Sequence, residues 1–435
     1  MNAVNAICDF ATNPPALPVQ ARADAERLLA DTLAGGAAGA QSPEAQKLRQ
    51  ALGVWGDNSD ARLLDGSGYA PAPSAAFFNG FAIHCLEWDA VHEGAVVHAL
   101  STVTAALLAV SDRKGGSEPD DFLKALAIGV DIASGIGLSA TGPMHFFRPA
   151  TAGVFGAALG CAWLDGLPRE KFPDVMGLAY SFASGTMQAH VEASIALPLQ
   201  IANAARAAVT ALDLAKAGMN GPHDVLDGPF GYSKLIEPLD LGRYTDDLGQ
   251  VWRIAEISIK PFPSGRASHG ALGALQAVRS EHGIGLSDVR SIKHYAPPLI
   301  KRLVGRPYQA DMSAAYARLC LPILAPLMLR DGVIDPALFE DSSLHDPALV
   351  TLAEHVSVEL DGKEDGNAMV PQRIVVDLAN DETIEREIPA TLGSPAAPMN
   401  AEQSAQKYDL CHRLAGTAVD SRIFDKPLVF ATDPA

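Results

Sequence analysis

The sequence predicts a mainly α fold: a large all-α helical domain completed by the C-terminal segment, with a smaller α+β domain placed before that segment. Three observations carry this expectation. From about Ala21 to Ala217 the chain is rich in Ala, Leu and Gly, and its apolar residues recur at helical spacing. After about Lys260 the texture changes to short, β-branched, partly alternating stretches. The tail then returns to a helical pattern. At 435 residues the chain is too long for one ordinary core, and length alone suggests about two or three domains. The expected division is a helical domain over 1–262 and 392–435 and an α+β domain over 263–391.

The helices are read from "ADAERLLADTLAGGAAG", "DFLKALAIGVDIASGIG", "AGVFGAALGCAWL" and "ANAARAAVTALDLAKAG". Several carry small residues on more than one face. Such helices can approach closely and be covered all round, as in a multi-layer helical domain. Loops such as "RKGGSEPDD", "DGLPREKFPD" and "NGPHDVLDGPFG" supply the breaks. The strands are read from "VRSIKHYAPP", "HVSVELDG", "QRIVVDLAN" and "TIEREIPAT", which share their region with helical "SHGALGALQAVRSEHG" and "AYARLCLPILAPLMLRDG". The tail "AEQSAQKYDLCHRLAG" is helical and is expected to pack back on the first domain.

Composition narrows the function. The chain has 33 Lys and Arg against 51 Asp and Glu, a formal net charge of −18. A surface of that sign repels phosphate backbones and anionic headgroups, so neither nucleic acid nor membrane is an expected partner. The five cysteines are scattered and never form a CxxC pair, which argues against a disulfide framework, a zinc knuckle or a cysteine-held cluster. A reducing, cytoplasmic setting fits this usage. The start "MNAVNAICDFATNPP" shows no secretory signal, and no apolar run is long enough to span a bilayer.

Chemistry concentrates in three stretches. "WDAVHEGAVVHALS" holds Asp89, His92, Glu93 and His98 between two helical segments. Asp89 and Glu93 are four apart and would share a face on a continuing helical turn, while His98 begins the next helix. A carboxylate on one imidazole nitrogen fixes the tautomer and raises the basicity of the other, as general acid–base chemistry requires. The same residues could instead form a solvated loop with a helix-capping acid. "HEGAVVH" is not HExxH, and its His residues do not share a helical face, so no metal is expected. "KPFPSGRASHGALGAL" places Lys260, the Ser264 turn and Arg266 beside a helix start near Ala267, a ready carboxylate site, with His269 in the first turn. Arg266 as a surface charge and His269 as a buried structural histidine are the alternative. "GPMHFFRPATAGVFGAALG" offers Arg148 as another anion contact, or as a loop packed on a helix start.

The ordered set of these segments resembles the MmgE/PrpD family, which includes 2-methylcitrate dehydratases, cis-aconitate decarboxylases and iminodisuccinate epimerases. "FFNGFAIHCLEWDAVHEGAVVHALS" is similar to the family's N-G-x-x-x-H-x-x-D-x-D segment with its following His. "RPATAGVFGAALGCAWLDGL" is similar to its T-x-G-x-x-G-A-A helix, and "ASGTMQ", "GPHDVLDGPFGY", "IKPFPSGRASHGALGAL", "ARLCLPI" and "APMNAEQSAQKY" follow in family order. The resemblance implies a helical domain, a smaller α+β lid domain, a homodimer, and an interdomain site that acts on small carboxylates without an iron–sulfur cluster. By position, it makes Asp89 and His98 acid–base residues, with Lys260 and His269 facing them. Two departures stand out. Where family dehydratases and decarboxylases usually read Lys-Arg-Leu-His after the G-x-M-Q segment, this chain reads "LPLQ", with Leu197 and Gln200 at the Lys and His positions. Phe147 stands in the register of the usual His before the T-x-G helix, with His145 only nearby.

The expected activity is a cofactor-independent lyase that removes the proton α to a carboxylate, with His98, oriented by Asp89, or else His269, as base. Lys260, Arg266, Ser264, Glu93 and Arg148 would bind the substrate. An epimerase of a small dicarboxylate such as iminodisuccinate, and a non-catalytic ligand-binding protein, are the alternatives.

Overall fold

The apolar, helically spaced half of the chain forms long helices: α1 (Val19–Gly39), α2 (Ala72–His84), α3 (Ala99–Arg113), α4 (Pro119–Leu138), α5 (Gly153–Asp165) and α6 (Ala196–Lys216). The structure is a computed structural model that describes residues 2–56, 59–339, 342–362 and 367–435. Local signals set the helix ends. Pro119 opens α4 where its missing N–H costs nothing, and Asp120 and Asp121 face the positive end of the helix dipole. Gly166 ends α5 in the left-handed region at φ 77°.

Helix α5 lies inside, packed on α3, α4 and α6. Its small residues are the reason. A Cβ at Gly156 would lie 2.1 Å from the Gly129 carbonyl oxygen of α4, so the two backbones meet where any side chain would hold them apart. Leu159, Cys161 and Val154 then fill the surrounding core.

The β-branched stretches form one four-stranded sheet from β1 (Val289–Ala296), β2 (Val356–Leu360), β3 (Gln372–Leu378) and β4 (Thr383–Ile388), in the order β2-β1-β3-β4. The β1 and β2 strands are parallel, and the other neighbours are antiparallel. Alternation decides the face: Gln372, Ile374, Val376 and Leu378 of β3 point into a second apolar core. Helix α7 (His269–His282) covers β3 and β4, and α8 (Leu321–Asp331) packs on α7 and β2.

The C-terminal helix α9 (Ala401–Ala415) starts at an Asn400/Gln403 capping box and returns to α1. Its Cys411 and Ala415, with Phe430 and Ala431 beyond, join the helical core, so the C-terminal segment completes that core as expected. The chain passes between the two cores at residues 258–266 and again near 391–393. There the Ile259 N–H donates to the Gly393 carbonyl at 2.9 Å, and a Cβ at Gly393, whose φ is 88°, would lie 2.0 Å from the Ile259 oxygen. No helix among the described residues is long and apolar enough to cross a membrane.

Candidate active site

Helix α2 ends at His84, and α3 begins with His98 as its N-cap. The thirteen-residue link between them is not helical, so Asp89 and Glu93 do not share a helix face, contrary to the sequence expectation. The link is held by tertiary pairing: Val91 bridges Ser258, and His92 bridges Val97. Glu87 and Val96 adopt left-handed φ values of 54° and 53°, unusual for residues with a Cβ. The result is convergence. His84 Nδ1 and His98 Nδ1 each lie 2.9 Å from Asp89 Oδ2, and the Ser101 hydroxyl donates to the same oxygen. Lys260 Nζ is 3.5 Å from Asp89 Oδ1 and 3.0 Å from Glu87 Oε2.

These neighbours set the protonation of the pair. Burial pushes Asp89 up, yet His84, His98 and Lys260 together hold its carboxyl well below the usual range. Glu87, also raised by burial, is brought down to about 2, chiefly by Lys260. Burial depresses His98; Asp89 opposes this, Lys260 adds to it, and the net shift is downward. Burial depresses His84 as well, but Asp89 and Glu87 outweigh it, and its net shift is upward. With both Nδ1–H groups donating to Asp89, a neutral His98 presents a basic Nε2, and a protonated His84 presents Nε2–H. Paired groups whose affinities for a proton are pushed apart are the arrangement acid–base catalysis uses.

The remaining predicted residues divide between lining and support. Arg266 lines the cavity, but its donors are already engaged. Nε and Nη2 reach Glu93 Oε1 at 2.9 and 2.5 Å, Nη1 reaches the Leu392 carbonyl at 2.7 Å and His269 Nδ1 at 3.3 Å, and Nη2 also reaches the Thr391 carbonyl. It is a clamp between the two cores, and the expected carboxylate fork is spent on protein. Glu93, which also accepts from Ser258, is its counter-ion. His269 is fully buried, with Nε2 3.2 Å from the Ser264 carbonyl and Nδ1 beside Arg266, and it does not line the cavity. Ser264 is buried against the Ser268 hydroxyl. Arg148 is 1% exposed and paired with Glu237, with Nη1 on the Ala95 carbonyl. Its expected substrate contact is replaced by a structural ion pair, because every charge buried there must be compensated.

His84, Glu87, His98 and the helix start Gly265–Ala267 line one cavity. Its volume is about 70 Å³, which suits a small molecule. Part of the lining is apolar: Phe147, Leu197, Met144 and Met187. Phe147 occupies the wall, its ring 5.9 Å from that of His84, while His145 is exposed. Gln200 donates to the Thr186 carbonyl and does not line the cavity.

His84, Asp89 and His98 are close enough together to hold a metal ion. The donor set fits poorly, because both Nδ1 atoms already converge on one carboxylate oxygen and Lys260 compensates the other. The sequence reading overlooked His84 and Glu87 as site residues. The signal was present, since His84 fills the histidine of the N-G-x-x-x-H-x-x-D-x-D pattern and Glu87 stands at its first Asp.

The family model of the MmgE/PrpD N-terminal domain matches residues 5–240, and that of the MmgE/PrpD C-terminal domain matches residues 262–424. The chain belongs to the MmgE/PrpD family. Human cis-aconitate decarboxylase is 28% identical over 329 residues, covering 70% of this chain but only 63% of the human protein's length. The mouse cis-aconitate decarboxylase is 25% identical over 77% of this chain and 70% of its own. A cis-aconitate decarboxylase of Aspergillus terreus (strain NIH 2624 / FGSC A1156) is 25% identical over 98% of this chain and 92% of its own.

Proposed function

We propose that this MmgE/PrpD protein is a lyase of small carboxylic acids, in which His98 removes the proton α to a carboxylate and His84 acts as the acid. The reading rests on one observation above all: two imidazoles share Asp89 Oδ2 and are shifted in opposite directions, one towards base and one towards acid. The substrate carboxylate lies against the turn Gly265–Ala267, which lines the cavity just before α7, at the positive end of that helix's dipole. His98 Nε2 takes the α-proton, and the C–H electron pair becomes the new carbon–carbon double bond. The β-hydroxyl leaves with its bonding pair, takes the Nε2 proton of His84 and departs as water. Proton exchange with solvent restores both rings. This sequence uses the protein's own side chains and asks for no cofactor. The relatives' decarboxylase names support the small-carboxylate class.

An epimerase needs a base on each face of the carbon. Here His84 and His98 both hang from Asp89, and the named relatives are decarboxylases, so the lyase reading is preferred. Incubation with cis-aconitate and with 2- and 3-hydroxy di- and tricarboxylates in deuterated water tests it. Solvent deuterium should enter the α-carbon, accompanied by an unsaturated or decarboxylated product. Absence of exchange and of product across that panel would reject the proposal in favour of a ligand-binding protein.

A further inference from the structure

A second polar cluster opens off the same cavity. His190 lines the cavity beside Met187 and also lines an adjoining hollow that leads to solvent. Its side chain is only 6% exposed, and its Nε2 has no hydrogen-bond partner among the described residues. Arg306 comes from the other core, donates Nη2 to the His190 carbonyl at 3.0 Å, and lies 4.8 Å over the Tyr316 ring. Its buried Nη1 likewise lacks a partner among the described residues. Buried polar atoms are ordinarily satisfied, so two orphans on side chains that line one hollow call for a ligand. Burial, reinforced by Arg306, holds His190 near 4, and the ring is neutral at neutral pH.

The charge around the hollow selects the ligand. Lys301 and Arg302 line it with Arg306, and no carboxylate does, in a chain whose net charge is −18. Leu197, which also lines the cavity, supplies no cation. We propose that His190 and Arg306 form a second carboxylate subsite, which holds the distal carboxylate of a di- or tricarboxylic acid while its reacting end lies against His84 and His98. Arg306 Nη1 supplies a charged donor from a guanidinium already fixed by stacking and by its bond to His190, and neutral His190 adds a donor in the tautomer that carries its proton on Nε2. The proposal rests on the small-carboxylate reading above and adds the determinant of chain length and charge. A monocarboxylate leaves the subsite unused.

The test uses equilibrium binding, which does not require turnover. Tricarballylate, a saturated tricarboxylate, and butyrate are titrated calorimetrically into the full chain, as wild type and as Arg306→Gln, His190→Phe and His190→Gln, each checked for an unchanged near-ultraviolet spectrum. Wild type should bind tricarballylate at least about tenfold more tightly than butyrate; Arg306→Gln should erase about that factor without altering butyrate, and His190→Phe should also lose the preference. His190→Gln, which keeps a donor, should retain most of the preference. An unchanged tricarballylate affinity in Arg306→Gln, or no preference in wild type, would overturn the subsite. Arg306-dependent binding by a wild-type protein that exchanges no α-deuterium would keep the subsite and reject the lyase. Exchange with no dependence on Arg306 would do the reverse.

Discussion

At the scale of single residues, the imidazole pair makes two predictions. Replacing the base, His98→Ala, should lower kcat by about 10²–10⁴ while the far-ultraviolet spectrum stays unchanged, as loss of a general base does. Wild-type turnover in the folded variant would remove His98 from the mechanism. The second concerns pH. His98 must be neutral and is shifted down, so activity should persist below the ordinary histidine range and fall only in more acid solution. His84 must be protonated and is shifted up, so activity should fall on the alkaline side of that range. The two limbs belong to the coupled pair, since both rings titrate against Asp89. His84→Gln should flatten the alkaline limb of the kcat profile, and an intact limb in that variant would show that another group supplies the acid. Asp89 and His98 were legible because a carboxylate and an imidazole flank a helix start. The status of Arg266 and Arg148 was not, because their counter-ions Glu93 and Glu237 lie 173 and 89 residues away and nothing local announces them.

At the scale of elements, small residues mean different things in different helices, and stability measurements can separate them. Gly156→Ala would drive a methyl group to 2.1 Å from the Gly129 carbonyl, so α4 and α5 must part; overpacking of this kind costs about 1–3 kcal/mol. At Gly35 in α1 a Cβ meets nothing within 4 Å, and Gly35→Ala should stabilise by up to about 1 kcal/mol through helix propensity alone. Urea midpoints that moved in the same direction for both variants would contradict the close approach of α4 and α5. The helices and the four strands were readable because period and alternation are local properties. The link after His84 stood open between a continuing helical turn and a loop, since an i, i+4 carboxylate pair fits either. What decides its path is Ser258, pairing from 167 residues beyond Val91.

At the scale of the whole molecule, the site depends on a residue near the other end of the chain. Lys407 of α9 is 4% exposed, pairs with Asp31 of α1 at 2.5 Å, and donates to the Trp88 carbonyl at 3.1 Å, directly before Asp89. The C-terminal return was legible as a helical tail, but its support of the loop that carries Asp89 was not, because it requires three distant segments to meet. Lys407→Met keeps the apolar stem and removes the charge. Burial already raises the Asp31 carboxyl, and Lys407 is its largest opposing influence. Without Lys407 the folded-state pKa of Asp31 should rise further above its unfolded value. A group raised in this way stabilises the fold fully at pH below its unfolded pKa, and that contribution is lost as pH rises through the folded pKa. The variant should therefore lie closer to wild type at about pH 5 and fall progressively behind it towards about pH 8. The loss should approach the roughly 3–5 kcal/mol of a buried pair broken on one side. Urea unfolding at the two pH values measures it. A penalty independent of pH would mean that Asp31 finds another partner, and that Lys407 matters to the fold through its bond to Trp88 rather than through its charge.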